Sequence, residues 1–341
     1  MKFFRAPLAF VLPLAVLFVS CAGRPSLREE SPLRETPPPA AVSLPPEKAA
    51  AKLEKAAKRV KQNGREIKKY FELGEDGRIF VKAEIDGLTV HYDLEGPWDK
   101  GSLTVTFLID DDDSGMQLKD SFVWKPGADN AGVLLSFDDD FSETWANNFD
   151  LFETYGARVT FFIWGSFTPF CVRALEKGHD VGYHSKNHLD LRKQTPGVFM
   201  EETALAAEEF RNAGIPLGSF AFPYGFSEPW MHEILLKHFS VLRGYGVTYR
   251  LYRAREIRNG YIISKAIDNT VIKDDSYFRT HITAMLRTVK FLGNDYIMPV
   301  TTHDISANAA WGIAPQRLEF FLKTAGDLKL RFYLYSDFID T

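Results

Sequence analysis

Cysteine is scarce in this chain, two residues in 341, and neither offers an internal disulfide. Cys171 lies in an apparent helix, Thr168 to Leu175, where a buried, inert thiol is expected. Cys21 is the candidate for acylation, which leaves no disulfide partner. Charge of one sign is also missing: the formal net charge is -4, and so near-neutral a balance argues against nucleic acid as a partner. No apolar run makes a comfortable membrane span. The early one, Ala6 to Val19, follows Lys2 and Arg5 and stops at Ser20-Cys21-Ala22-Gly23, which reads as a lipoprotein-type signal over residues 1–21. No internal repeat is present. What remains is 45% hydrophobic and 25% charged, the composition of a soluble globular protein with one large domain plus appendages.

The stretch richest in chemistry is Leu134-Leu135-Ser136-Phe137-Asp138-Asp139-Asp140, joined downstream by His184-Ser185-Lys186-Asn187-His188 and Thr302-His303. A catalytic divalent-metal site uses three protein ligands, with open positions for water and substrate, and one Asp with two His fits that count. The spacing His184-x-x-x-His188 puts both rings on one side of a helical turn. Of the two adjacent aspartates only one is needed as a ligand, and the other can face the water as a base, with His303 as acid. Each piece alone has a plainer explanation: a strand end meeting solvent, a chance histidine pair, a structural histidine. Their order changes the reading, because each follows a strand-like run: Val133 to Phe137, Val181 to Tyr183 and Tyr296 to Val300. Residues at one end of parallel strands form one crevice.

Taken in order, Ser136-Phe137-Asp138-Asp139, His184-Ser185-x-x-His188, Phe222-Pro223-Tyr224-Gly225 and Thr302-His303 resemble the successive motifs of the polysaccharide deacetylases, the fourth family of carbohydrate esterases. The resemblance runs from about Gly132 to the C-terminus. It implies an α/β fold, a distorted, incomplete (β/α) barrel, and metal-dependent removal of acetyl from an N-acetylated sugar. By it Asp138 matches the general base and His303 the general acid, while Asp139, His184 and His188 match the metal ligands. Tyr224, after Pro223, matches the position whose backbone N–H helps form the oxyanion hole. The ion is expected to be zinc, with cobalt, nickel or manganese also accepted by such ligands. Three positions depart from the family pattern. Asp140 stands where many members have Gly or Ser, Ala221 where many have an Arg that steadies the base, and Thr301 where a Leu lines an acetyl-sized pocket. Arg243, ending the apolar run Phe239 to Leu242, is the candidate substitute for that Arg.

Trp145, Trp164, Trp230 and Trp311 lie near the motif loops, where flat rings can stack on sugar faces; Pro223, Tyr224 and Trp311 are the candidate substrate contacts. Upstream, residues 22–46 read as a Pro-rich disordered tether, 47–74 as a charged helical segment interrupted near Asn63-Gly64, and 75–130 as a small β-rich accessory region; the catalytic domain takes 131–341. Asp110 to Gly115 resembles the start of a calcium loop, but the distal acidic ligand falls on Ser121, so a solvated acidic turn is expected. Helical segments are expected at Ser142 to Tyr155, Pro169 to Lys177, Val198 to Asn212, Ser276 to Phe291 and Pro315 to Leu328, alternating with strands. The expectation for the whole is an exported protein, lipid-anchored to a bacterial membrane, that deacetylates a peptidoglycan, chitin-like or poly-N-acetylglucosamine polymer. Two alternatives stand beside it: a non-catalytic glycan-binding lipoprotein, and a metal-dependent hydrolase of a non-sugar amide or ester. Oligomeric state is not legible.

Overall fold

A computed structural model describes residues 45–63, 69–73, 79–95, 103–124, 130–293 and 295–339. The signal segment with Cys21, and the tether as far as residue 44, lie outside the described residues. The chain opens with helix α1 (Pro46–Asn63), whose apolar residues Ala49, Leu53, Ala56, Ala57 and Val60 recur at helical spacing and are all buried. Three of its basic residues are paired: Lys52 meets Asp111 at 3.1 Å, Arg59 meets Asp86 at 2.5 Å, and Lys61 meets Asp120. Among the described residues of 47–74, the part after Asn63 is not helical. Lys69–Leu73 is strand β1, because it pairs antiparallel with β2 (Ile79–Ile85), and tertiary pairing outweighs the Lys- and Glu-rich composition.

β3 (Leu88–Glu95), β4 (Leu103–Asp111) and β5 (Met116–Trp124) complete a five-stranded antiparallel meander in chain order. Alternate residues Val105, Phe107 and Ile109 are buried, the period-two pattern of a half-covered sheet. The Asp110 to Gly115 stretch is the hairpin turn between β4 and β5: Asp111 is buried and takes hydrogen bonds from Lys52 and Ser114 Oγ.

The second half alternates strands and helices. β6 (Gly132–Asp139) is followed by α2 (Ser142–Ala146), α3 (Phe149–Thr154), β7 (Thr160–Ile163), α4 (Pro169–Glu176), β8 (Asp180–Tyr183), α5 (Pro196–Glu202), α6 (Ala207–Asn212) and β9 (Ser219–Ala221). Then come α7 (Pro229–Leu235), β10 (Val241–Tyr245), β11 (Tyr252–Arg253), α8 (Ala254–Ile257), β12 (Gly260–Ala266), α9 (Asp275–Leu292) and β13 (Tyr296–Thr302). The short β14 (Asp304–Ile305), β15 (Gly312–Ile313), α10 (Pro315–Asp327) and β16 (Arg331–Phe332) end the order. Two expected helices are broken. Ser142 to Tyr155 splits at Asn147 and Asn148, and Val198 to Asn212 splits after Glu202, where Thr203 leaves helical geometry at φ -120° and ψ -95°.

Strands β6, β7, β8, β9, β10, β12 and β13 run parallel, and β13 pairs back onto β6, closing a ring of seven. A full (β/α) barrel has eight strands, so the expected distorted, incomplete barrel is the fold observed. The distortion has a visible source: β7 pairs with Ser136 to Asp139 of β6, whereas β16 takes the same strand's first residues, Gly132 and Val133. Gly132 permits this approach, since a Cβ there would lie 2.3 Å from the Arg331 carbonyl oxygen.

The meander is joined to the barrel through helix α9. Phe291 is 2% exposed, with its ring 6.2 Å from Tyr92 and 4.9 Å from Trp124. Residues 43–341 form one compact unit accordingly. Phe291→Ala removes the ring that bridges the two layers, and urea unfolding should show a loss of about 3–5 kcal/mol; an unchanged midpoint would mean that the layers do not stabilise one another.

Candidate active site

Every candidate side chain arrives from the C-terminal end of a parallel strand or the loop that follows it. Asp138 and Asp139 end β6, His184 and His188 follow β8, Tyr224 follows β9, Arg243 lies in β10, and His303 follows β13. Four non-glycine residues here hold positive φ: Asp139 at 81°, Ser185 at 74°, His188 at 52° and Tyr224 at 59°. Such conformations persist only when the surroundings impose them, and they cluster at functional sites.

Asp139, His184 and His188 each present a ligand atom, and the three atoms lie within 4.8 Å of one another. His188 Nε2 is 3.2 Å and His184 Nε2 is 3.6 Å from Asp139 Oδ1. His184 Nδ1 sits 2.8 Å from the Ala221 carbonyl oxygen, which fixes the N–H on that side and leaves Nε2 with a lone pair. Burial pushes the His184 pKa down to about 3, so the ring is neutral, as a ligand must be. Burial, with the Asp138 charge close by, raises the Asp139 carboxyl above its usual range despite the nearby histidines, an electrostatic deficit that a cation would remove. The donor set therefore fits a divalent ion bound by two imidazoles and a carboxylate. The loop that carries the histidines differs from the expected helical turn. Residues 184–190 are irregular, and the two rings meet edge to face at 5.0 Å because the left-handed Ser185 and His188 fold the chain back.

Asp138 is fully buried inside the barrel. Arg243, equally buried, donates from Nη2 to Oδ1; the Tyr245 hydroxyl donates to Oδ2, and Thr301 Oγ1 lies 3.4 Å from Oδ1. Burial alone would raise the Asp138 pKa, but the Arg243 charge, helped by His303 and the Tyr245 hydrogen bond, pulls it down to about 2. Arg243 thus supplies a charged neighbour to Asp138 where Ala221 does not, and Thr301 turns its hydroxyl toward the same carboxylate. Asp140 is exposed and takes a hydrogen bond from Ser142, at the start of α2.

His303 is held from the side opposite the crevice. Its Nδ1 lies 3.1 Å from both carboxylate oxygens of the buried Asp268, which also accepts the Thr302 hydroxyl at 2.7 Å. Burial would lower the imidazole pKa, but the Asp268 hydrogen bond and charge outweigh it and raise the value above the ordinary one. His303 Nε2 is 3.2 Å from the Tyr245 hydroxyl. Asp268 and Tyr245 are the residues that sequence reading missed. Both stand at or just past the end of a parallel strand, the rule that located the others.

The rim is aromatic. Trp164, Tyr224, Phe226 and Trp311 are all exposed, with Trp164 6.2 Å and Tyr224 4.6 Å from the His188 ring, and Trp311 5.8 Å from His303. Tyr224 lies in the tight turn Pro223–Gly225, itself in left-handed geometry, which closes with the Gly225 N–H on the Phe222 carbonyl at 2.8 Å. Pro223 is buried and shapes that turn, so it presents no surface of its own. Trp145 is also not a surface for sugar: it is fully buried, stacked on Phe161 at 5.0 Å, and its indole N–H holds the His303 carbonyl at 2.8 Å. Trp230 packs on Phe199 at 5.0 Å.

Residues 125–238 match the family model described as polysaccharide deacetylase. The matched stretch runs from just before β6 into the residues after α7 and includes Asp138, Asp139, His184, His188 and Tyr224, so this part of the barrel half resembles a polysaccharide deacetylase domain. Among solved structures, the chain is similar to the peptidoglycan deacetylase PdaC of Bacillus subtilis, at 16% identity over 61% of this chain and 90% of that one, with a TM-score of 0.43. It is also similar to B. subtilis PdaA, a family 4 carbohydrate esterase, at 18% identity over 62% and 82%, TM-score 0.43. A third is the Xyl-CE4 domain of a multidomain xylanase from the hindgut metagenome of Trinervitermes trinervoides, at 16% identity over 61% and 90%, TM-score 0.43. No curated protein matches the chain.

The Arg243–Asp138 pair sets a direct test. Arg243→Met strands a buried carboxylate and should cost about 3–5 kcal/mol in urea unfolding at pH 7, with part of the loss recovered by the double variant Asp138→Asn, Arg243→Met. A loss below about 1 kcal/mol would show that the pair does not hold the barrel interior.

Proposed function

We propose that the protein is a metal-dependent N-deacetylase of an N-acetylated cell-envelope or extracellular polysaccharide: peptidoglycan, a chitin-like polymer or poly-N-acetylglucosamine. The observation that carries this reading is the juxtaposition of a three-donor cluster, Asp139, His184 and His188, with a separate carboxylate, Asp138, and a separate imidazole, His303. Asp139, His184 and His188 would hold the ion, zinc or else cobalt, nickel or manganese, which when bound polarises the acetamide carbonyl and acidifies water. Asp138, kept ionised by Arg243, accepts the proton of the attacking water. The Tyr224 backbone N–H is the donor available to the developing oxyanion. His303, its pKa raised by the hydrogen bond and charge of Asp268, gives its proton to the departing amine. Trp164, Tyr224 and Trp311 offer flat faces to the sugars on either side. Arg243 supplies a charged neighbour for Asp138 where Ala221 does not, and Ala221 is one of the three departures, with Asp140 and Thr301, behind the non-catalytic alternative. The leader and Cys21 support export and lipid anchoring at a bacterial membrane, with the glycan as partner.

Acetate release from N-acetylglucosamine oligomers by the metal-loaded protein tests the reading. Release should fall about 100-fold or more in Asp138→Asn, whereas oligomer binding with no acetate under any metal would overturn it in favour of a non-catalytic binder, and cleavage of simple esters alone in favour of another hydrolase. The pH dependence tests the acid. Because the folded-state pKa of His303 is raised, the decline of activity with rising pH should lie above the ordinary imidazole range. Asp268→Asn removes the raising influence, so the alkaline limb of kcat/KM should move to lower pH; an unmoved limb would remove His303 from the role of acid.

A further inference from the structure

The residues joining His184 to His188 have no regular structure to support them, and two positions of the segment, Ser185 and His188, sit in the left-handed region. One bond is internal, from the His188 N–H to Ser185 Oγ at 3.1 Å. The Gly165 N–H donates to the Ser185 carbonyl at 3.0 Å, and three further bonds go to a single residue. The backbone oxygen of Glu202 accepts the Lys186 N–H at 2.9 Å. Its carboxylate accepts the Asn187 backbone N–H at 2.8 Å and the Asn187 side-chain amide at 2.5 Å. Glu202 is 4% exposed and is the last residue of α5, where the helix's own terminal carbonyls disfavour a negative charge. A carboxylate buried at that end is retained against its environment, and the groups bonded to it are those of the histidine loop.

We propose that Glu202 is a positioning residue for the metal site: it clamps the loop so that His188 is held toward Asp139, and the affinity for a divalent ion depends on that clamp. The inference rests on the metal-site reading above. Released from Glu202, Lys186 and Asn187 lose the bonds that hold their neighbours in left-handed geometry. The loop can then relax, and His188 Nε2 leaves its place 3.2 Å from Asp139. Glu202→Gln keeps the shape but turns one acceptor into an amide that faces the Asn187 donors. Asn187 is exposed, so Asn187→Ala removes one bond without touching the core, and Asn187→Asp sets a second carboxylate against Glu202.

The experiment titrates the metal-free full chain and its variants with Zn2+ against a chromogenic chelator and records the absorption spectrum of the Co2+-loaded forms. Glu202→Gln should raise the Zn2+ Kd about 10-fold or more and change the Co2+ spectrum. Asn187→Ala should raise the Kd less, with an unchanged Tm, and Asn187→Asp should raise it more than Asn187→Ala. If Glu202→Gln does not fold, the Asn187 pair decides. Wild-type Kd in Asn187→Asp and in folded Glu202→Gln, while His184→Ala loses the ion, overturns the clamp and leaves the metal site standing. Wild-type Kd in His184→Ala overturns the metal-site reading, and the clamp with it.

Discussion

A carboxylate enclosed in a β-barrel is tolerated only if something replaces the water it gave up, and for Asp138 that is Arg243. The two side chains come from strands β6 and β10, across the barrel interior, and both are fully buried. Without the guanidinium, burial would raise the Asp138 pKa and favour its uncharged form. With it, the carboxyl is ionised throughout the physiological range. Tyr245 and Thr301 fill further acceptor positions on the same group, so the base is both charged and held in orientation.

That pair allows two adjacent aspartates to take unlike environments. Asp138 points into the barrel toward Arg243, whereas Asp139, at φ 81°, turns out toward the histidines. Alternation along a strand supplies the divergence, and the left-handed residue directly after it enlarges it. The same logic separates the imidazoles. His184 is desolvated and neutral, suited to ligation, while His303, backed by Asp268, has its pKa raised, which favours the proton-carrying form. The seven-strand ring matters because it brings four well-separated sequence positions to one mouth at fixed spacing.

Much of this was legible because strand-end chemistry is local. Asp138, Asp139 and His303 each close an apolar run, and Arg243 was found in the same way. The histidine loop was placed correctly but given the wrong geometry. A spacing of four suits a helix, and nothing local announces that Ser185 and His188 are left-handed, since the restraint comes from Glu202 on a later helix. Asp268 and Tyr245 escaped notice because their partners lie far away in sequence: His303 is 35 positions beyond Asp268, and Asp138 is 107 before Tyr245. Lys69–Leu73 shows the same limit in the fold, its strand state decided by pairing with β2. Trp145 shows it in the core: a tryptophan beside a motif can serve as its floor rather than its rim.

The central claim is that three side chains from two strand ends grip one cation beside a separately held base. X-ray absorption at the zinc edge of the loaded protein tests it most directly. The account predicts two imidazole nitrogens and one carboxylate oxygen at about 2.0–2.2 Å, with the remaining positions filled by water oxygen. A spectrum showing sulfur, or lacking the multiple scattering of two imidazoles, would contradict it.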